Sequence, residues 1–223
     1  MKVDTHIHSS YSMESHPEKS SPSLILKAAI KSGIDGLCIS DHNTMDGYRE
    51  AIRIRRPGDP VVIPACEVST SRGHLLVIGV DRDWPEDVEA EELVDQARSE
   101  GGIVSAPHPF YLSTISVSWL ARELKLAVET FNAMASILVY PNLVARKFAA
   151  KYGLPVTGGS DAHSYEVVGS GLTVTDGDAV DSFLSDIARG CATVEGRRPA
   201  LTYSIRFASR SALGALQTWA GLA

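Results

Sequence analysis

The sequence predicts an α/β protein whose strands close into a distorted (β/α)7 TIM-like barrel, with a metal site at the C-terminal mouth. Three observations carry this. Apolar, strand-like runs alternate with helical stretches along nearly the whole chain. Residues able to ligate a metal stand at or just beyond the ends of six different strands, and only a closed sheet brings that many strand ends together. The length, 223 residues, falls a little short of eight complete βα units.

Val3-Asp4-Thr5-His6-Ile7-His8 reads as the first strand. Side chains two apart in a strand share a side, so His6 and His8 aim at one point and form half of a transition-metal site. Residues 9–17 are polar and turn-rich, a loop, and Ser9 to Ser23 is the natural lid if one closes over the site. A helix over 24–31 follows Ser21-Pro22-Ser23 and stops at Gly33. Residues 36–40 form a strand ending in Asp41-His42, and a helix from 45 to 55 is closed by Pro57-Gly58. The strand 61–66 runs into Glu67. The next strand, 74–80, opens with its histidine, which in a parallel barrel sets His74 at the end away from the mouth. Trp84-Pro85 opens an acidic helix that reaches Arg98.

The alternation continues with strand 103–106 leading to Pro107-His108-Pro109, then a helix near 117–124. The strand 126–132 carries Glu129 and Asn132, which can line the pocket or tidy the barrel rim. A helix over 142–152 shows an apolar stripe of Leu143, Ala145, Phe148 and Ala149. The strand 154–159 ends in Ser160-Asp161-Ala162-His163. A last helix, 179–189, and a short strand, 191–194, precede a tail from Leu201 read as a strand fragment and a helix packed on the body. No repeat or linker appears, so residues 1–223 read as one domain.

With 44% hydrophobic and 22% charged residues, this is an ordinary globular composition. The formal charge is -6 and no basic block stands out, which argues against a stable nucleic-acid complex and leaves a small phosphorylated substrate compatible. Three cysteines and no CxxC exclude a disulfide framework. No signal peptide and no apolar run of the ~18 residues a membrane span needs is visible, so a cytoplasmic protein is expected. Six of the seven histidines lie at strand boundaries, and random placement would not concentrate them so. Imidazoles combined with Glu67 and Asp161 suit zinc, manganese or iron, and are too nitrogen-rich for calcium. Carboxylates can bridge two ions about 3.5–4 Å apart, where a shared water becomes a hydroxide near neutral pH. Neither GxSxG nor GxxxxGK[ST] occurs, which leaves metal-activated hydrolysis as the economical chemistry.

HxH near the N-terminus, Ser40-Asp41-His42, Glu67, Pro107-His108-Pro109 and Gly159-Ser160-Asp161-Ala162-His163 occur here in the order of the PHP (polymerase and histidinol phosphatase) superfamily. Over about residues 1–200 the chain resembles its small stand-alone metal-dependent phosphoesterases. The resemblance implies two or three divalent ions and phosphoester hydrolysis, with Glu67, Asp161 and His163 in the chemistry. It implies that His6, His8, Asp161 and a bridging Glu67 hold the first ion, and that His108 and Glu67 hold the second. His42 and His163 would hold the third with Glu14, or with His16 in its place. The family's further His or Cys ligand after the Glu129 strand has no counterpart within 130–140. Substrate contacts are expected from Arg197 and Arg198 after the last strand, with Asn132, His74 and Arg72 as further options. The activities compatible with this set are a phosphatase on a small metabolite or nucleotide, an exonuclease or phosphodiesterase on short oligonucleotides, and a non-catalytic metal-stabilised module. An amidohydrolase is chemically possible, although no bridging lysine stands at a strand end.

Overall fold

Within the strands, buried apolar residues occupy both faces, as expected of a sheet covered on both sides. The computed structural model describes residues 1–12, 15, 17–111, 115–137, 139–200, 202 and 203, without the side chains of residues 115, 116, 137 and 139. The strands are β1 (Lys2–Ile7), β2 (Gly36–Ile39), β3 (Val61–Thr70), β4 (Gly73–Ile78), β5 (Ile103–Ala106), β6 (Ala127–Asn132), β7 (Val156–Gly159), β8 (Gly171–Val174) and β9 (Thr193–Gly196). The helices are α1 (Pro22–Ser32), α2 (Asp46–Ile54), α3 (Ala90–Ser99), α4 (Ile115–Leu124), α5 (Val139–Tyr152) and α6 (Val180–Ala188).

All the strands join one sheet in the order β7-β6-β5-β4-β3-β2-β1-β8-β9. It closes, as the sequence predicts, into a barrel. The chain just beyond β7 runs alongside β1, where the Asp161 N–H donates to the His6 carbonyl at 2.7 Å and the His8 N–H donates to the Ala162 carbonyl at 2.9 Å. Glycine is required at this seam. A Cβ on Gly159 would lie 2.4 Å from the His6 Cβ, and one on Gly171 would lie 2.0 Å from the Gly159 carbonyl oxygen.

Alternation sorts the side chains. Cys38, Ile63, Leu76, Ile78 and Ala127 join Phe183 and Ile187 of α6 in one buried cluster. Their strand neighbours Val77, Val104 and Val128 pack outward against α3, α4 and α5, while Leu37, Ile39 and Val62 pack against α1 and α2. α6 therefore covers the end of the barrel opposite the mouth, and a Cβ on Gly79, at the far end of β4, would touch Leu184 at 2.6 Å.

Three features depart from the sequence reading. β3 pairs with β4 antiparallel, and β4 pairs with β5 antiparallel. Only a tight turn separates the first two, and a parallel crossover needs a dozen residues or more. The helix read from Trp84 begins at Ala90. An additional strand, β8, lies antiparallel to β1. The tail beyond residue 203 lies outside the described residues.

Replacing Gly171 with alanine should lower unfolding free energy by more than about 2 kcal/mol, because the new methyl meets backbone rather than a movable side chain. Gly190→Ala, facing open space at φ +71°, should cost only about 1 kcal/mol. Urea unfolding of both variants checks the contrast.

Candidate metal centre

The mouth is built from strand ends. His6 and His8 come from β1, and the register of β1 on β2 shifts between Asp4 and Ile7. Such irregularities re-aim side chains beside functional sites. The β2–β3 ladder continues past β2, so that His42 pairs with Glu67. His74 pairs with Ser69 across the antiparallel β3–β4 hairpin, which returns the start of β4 to the mouth. The placement of His74 away from the mouth is thereby corrected: the error lay in assuming a parallel strand. His108 and Asp161 follow β5 and β7 with φ of +31° and +54°, in the left-handed region that is costly for residues other than glycine. The His108 backbone is held there by its N–H, which donates to Glu129 Oε2 at 2.7 Å.

Glu67 stands at the centre, its side chain 1% exposed. Oε2 lies 3.1 Å from His6 Nε2, 3.1 Å from His8 Nε2 and 3.7 Å from His42 Nε2. Oε1 lies 3.3 Å from His74 Nδ1 and 3.4 Å from His108 Nε2. This oxygen is buried and accepts no well-formed hydrogen bond among the described residues. Asp161 Oδ1 adds contacts of 3.6 Å to His6 Nε2, 3.3 Å to His8 Nε2 and 3.6 Å to His163 Nδ1.

Hydrogen-bonding partners fix the tautomers. His6 Nδ1 lies 3.0 Å from Glu129 Oε1. A carboxylate oxygen can only accept, so Nδ1 carries a proton, and Nε2, 3.1 Å from Glu67 Oε2, is the nitrogen that would offer a lone pair once a cation replaces its own proton. His163 Nδ1 likewise donates to the Asp161 carbonyl at 2.9 Å. His6 Nε2 and His8 Nε2 face each other at 3.1 Å, where two lone pairs repel unless a cation or a proton lies between them. Donors bonded to an ion at about 2.0–2.2 Å sit roughly 3.0–3.5 Å from one another, close to the spacings seen here. The donor set fits divalent ions.

Groups of three ligand atoms, each within 4.8 Å of one another, are His6/His8/Glu67, His6/His108/Asp161, His8/Asp161/His163 and His42/Glu67/His74. His74 thus joins Glu67 as a ligand-type residue, where the sequence reading had it contacting substrate. Glu14 and its substitute His16 lie outside the described residues. Asn132 is fully buried and spends its amide on Glu129 Oε2 at 2.9 Å and Asp161 Oδ2 at 3.1 Å. Its amide is thereby held between two carboxylates of the cluster. Arg72 pairs with Glu91 and Glu123 and points elsewhere. Arg197 and Arg198 are exposed. They line a cleft with Glu166, Ser170 and Tyr203 beyond the mouth end of β9. Sequence reasoning missed Asp41 and Ser12, which support His8; Asp41 stands inside the Ser40-Asp41-His42 signal.

The electrostatics reflect this crowding. Burial works against a charged His6, yet the charges of Glu129, Asp161 and Glu67 hold its pKa well above the ordinary imidazole value. Burial is likewise outweighed at His8, which Asp161 and Glu67 raise to about 9. Despite burial, Glu67 is held well below the carboxylate range by the charge on His6 and by the close approach of the His108, His6 and His74 rings. Asp161 is lowered for similar reasons, His6 leading. His163 falls to about 4 through burial and the charge on His8.

Residues 4–111 match the PHP domain model and residues 139–191 match the PHP-associated model. The chain belongs to the PHP family. It is 30% identical over 155 residues to the uncharacterized protein MJ1587 of Methanocaldococcus jannaschii, covering 66% of this chain and 91% of that one. A two-domain protein from Bacteroides vulgatus, containing a predicted PHP-like metal-dependent phosphoesterase, superposes with a TM-score of 0.70 at 13% identity, over 88% of this chain and 65% of that chain. The lesion-specific endonuclease EndoQ from Pyrococcus furiosus superposes at 0.61 with 18% identity, over 90% of this chain and 60% of that chain. This chain therefore spans less than two thirds of either solved protein, and at these identities the likeness shows the fold. No helix among the described residues is long and apolar enough to cross a membrane.

The sign of the pH response follows. Raised folded pKa values at His6 and His8 stabilise the metal-free protein below the ordinary value of 6.5, and that gain disappears as pH rises through about 9. The depressed Glu67 and Asp161 contribute above their ordinary range and lose it toward acid. The urea midpoint of metal-free protein should therefore fall between pH 7 and 9.5, and added zinc or manganese should remove the fall. Metal binding at pH 7 should release protons, measurable by calorimetry in buffers of different ionisation enthalpy.

Proposed function

We propose that the protein is a metal-dependent phosphoesterase that hydrolyses a small phosphorylated metabolite or nucleotide. The observation that supports this most is the pair of Glu67 oxygens facing different imidazole sets, His6/His8 on one side and His74/His108 on the other. A carboxylate so placed suits a bridge between two cations. In this reading His6, His8 and Asp161 complete one position. His74 and His108 complete the second, and His42 and His163 serve a third.

Divalent zinc, manganese or iron held there would supply Lewis acidity and lower the pKa of water into the neutral range. The chain's own contribution is placement. Glu129 and Asn132 fix His6, the His108 backbone and Asp161. The His163 tautomer leaves Nε2 as an acceptor, which suits a ligand or base and not the acid that protonates a leaving group. Arg197 and Arg198, at the rim, are assigned to the non-reacting side of the phosphoryl group, where fork-shaped donors match its oxygens. A second reading, exonuclease or phosphodiesterase action on short oligonucleotides, draws support from the fold shared with the Pyrococcus endonuclease.

Metal content per chain, measured with turnover of p-nitrophenyl phosphate and bis-p-nitrophenyl phosphate, tests the proposal. Two or three equivalents with preference for the monoester are expected. Preference for the diester would favour the second reading, and metal-free, inert protein under all additions would refute catalysis. Glu67→Gln should lower monoester turnover by more than about 100-fold, the upper end of what even outer hydrogen-bonding partners cost.

A further inference from the structure

Ser12 and Asp41 form a buried polar chain behind His8. Ser12 is 3% exposed and Asp41 is 1% exposed. Ser12 Oγ donates to Asp41 Oδ1 at 2.8 Å. It lies 3.1 Å from His8 Nδ1 and accepts the His42 backbone N–H at 3.2 Å. A serine hydroxyl has one proton and two lone pairs. With the proton on Asp41 and one lone pair on the His42 N–H, only an acceptor position remains for His8. Its Nδ1 must therefore donate, which leaves Nε2, facing Glu67 and Asp161, as the nitrogen whose proton a cation would replace.

Asp41 is itself held firmly. It accepts the Ser9 N–H on Oδ1 at 2.6 Å and the Ser9 hydroxyl on Oδ2 at 2.5 Å. Room for these bonds depends on Gly47, whose Cβ would lie 2.1 Å from Asp41 Oδ2 and 2.4 Å from Ser9 Oγ. The loop after β1 is thus pinned at Ser9 and Ser12 to the end of β2, and one hydroxyl touches both His8 and the backbone of His42.

We propose that Ser12, anchored by Asp41, is a positioning residue that sets the His8 tautomer and its aim, and couples it to His42. The inference rests on reading His8 as a metal ligand. Outer partners of metal-bound histidines raise ligand basicity and fix ring orientation.

The test is zinc titration of the full chain by calorimetry, together with nitrogen-15 NMR of the His8 ring in zinc-loaded protein. Ser12→Ala should weaken zinc binding by about 10–100-fold and remove the hydrogen-bonded Nδ1–H signal. Ser12→Thr, which keeps the hydroxyl, should bind within about threefold of wild type. Tyr11→Phe, which removes the same loop's exposed tie to Glu50 without touching Asp41 or His8, should also stay within about threefold, and this separates positioning from general loop stability. Wild-type zinc affinity and an unchanged Nδ1–H signal in Ser12→Ala would overturn the proposal, as would equal losses in Tyr11→Phe and Ser12→Ala. Should wild type bind no zinc, the reading of His8 as a ligand fails first and takes this proposal with it.

Discussion

One buried carboxylate organises the mouth of this barrel. Glu67 turns its two oxygens toward different imidazole pairs, and it can do so only because β3 continues past the barrel wall and folds back as β4. That hairpin carries His74 to the mouth. The seam where the chain after β7 runs along β1 brings Asp161 to the other side of His6 and His8. Fold closure and site assembly therefore share residues: His6, His8 and Asp161 both join the seam and face the cluster.

Bringing this many nitrogen and carboxylate donors together is electrostatically demanding. In the metal-free chain the carboxylates push His6 and His8 up and are themselves pulled down, while burial and the charge on His8 push His163 down. Divalent cations bring more positive charge to the same space. The buried partners behind these imidazoles and carboxylates then set their orientation. Glu129 and Asn132 sit behind His6, the His108 backbone and Asp161, while Ser12 and Asp41 sit behind His8.

Much of this was legible in the sequence. The HxH pair, Asp41-His42, Glu67, Pro107-His108-Pro109 and the Asp161–His163 step stand at strand ends, and strand ends are where a barrel gathers function. What failed to read through was strand direction. His74 looked misplaced because periodicity reports a strand without its orientation, and the turn at Ser71-Arg72 carried the missing signal. Asn132 read as a pocket residue because its type suits substrate contact, while its burial depends on Glu129 and Asp161, which are distant in sequence. β8 is a short run set between Ser170 and Asp176 with no α-helix between it and β7, so the strand–helix alternation did not mark it. Arg197 and Arg198 follow a strand end as expected, yet the cleft they line is set by packing against Tyr203 that no local pattern encodes.

The most direct test of the central claim is the electron paramagnetic resonance spectrum of the protein loaded with manganese(II). If Glu67 bridges two cations, ions about 3.5–4 Å apart will couple magnetically and give a multiline spectrum that Glu67→Gln converts to isolated-ion signals. A simple six-line spectrum at full loading, unchanged in Glu67→Gln, would contradict the bridge and with it the account of this mouth.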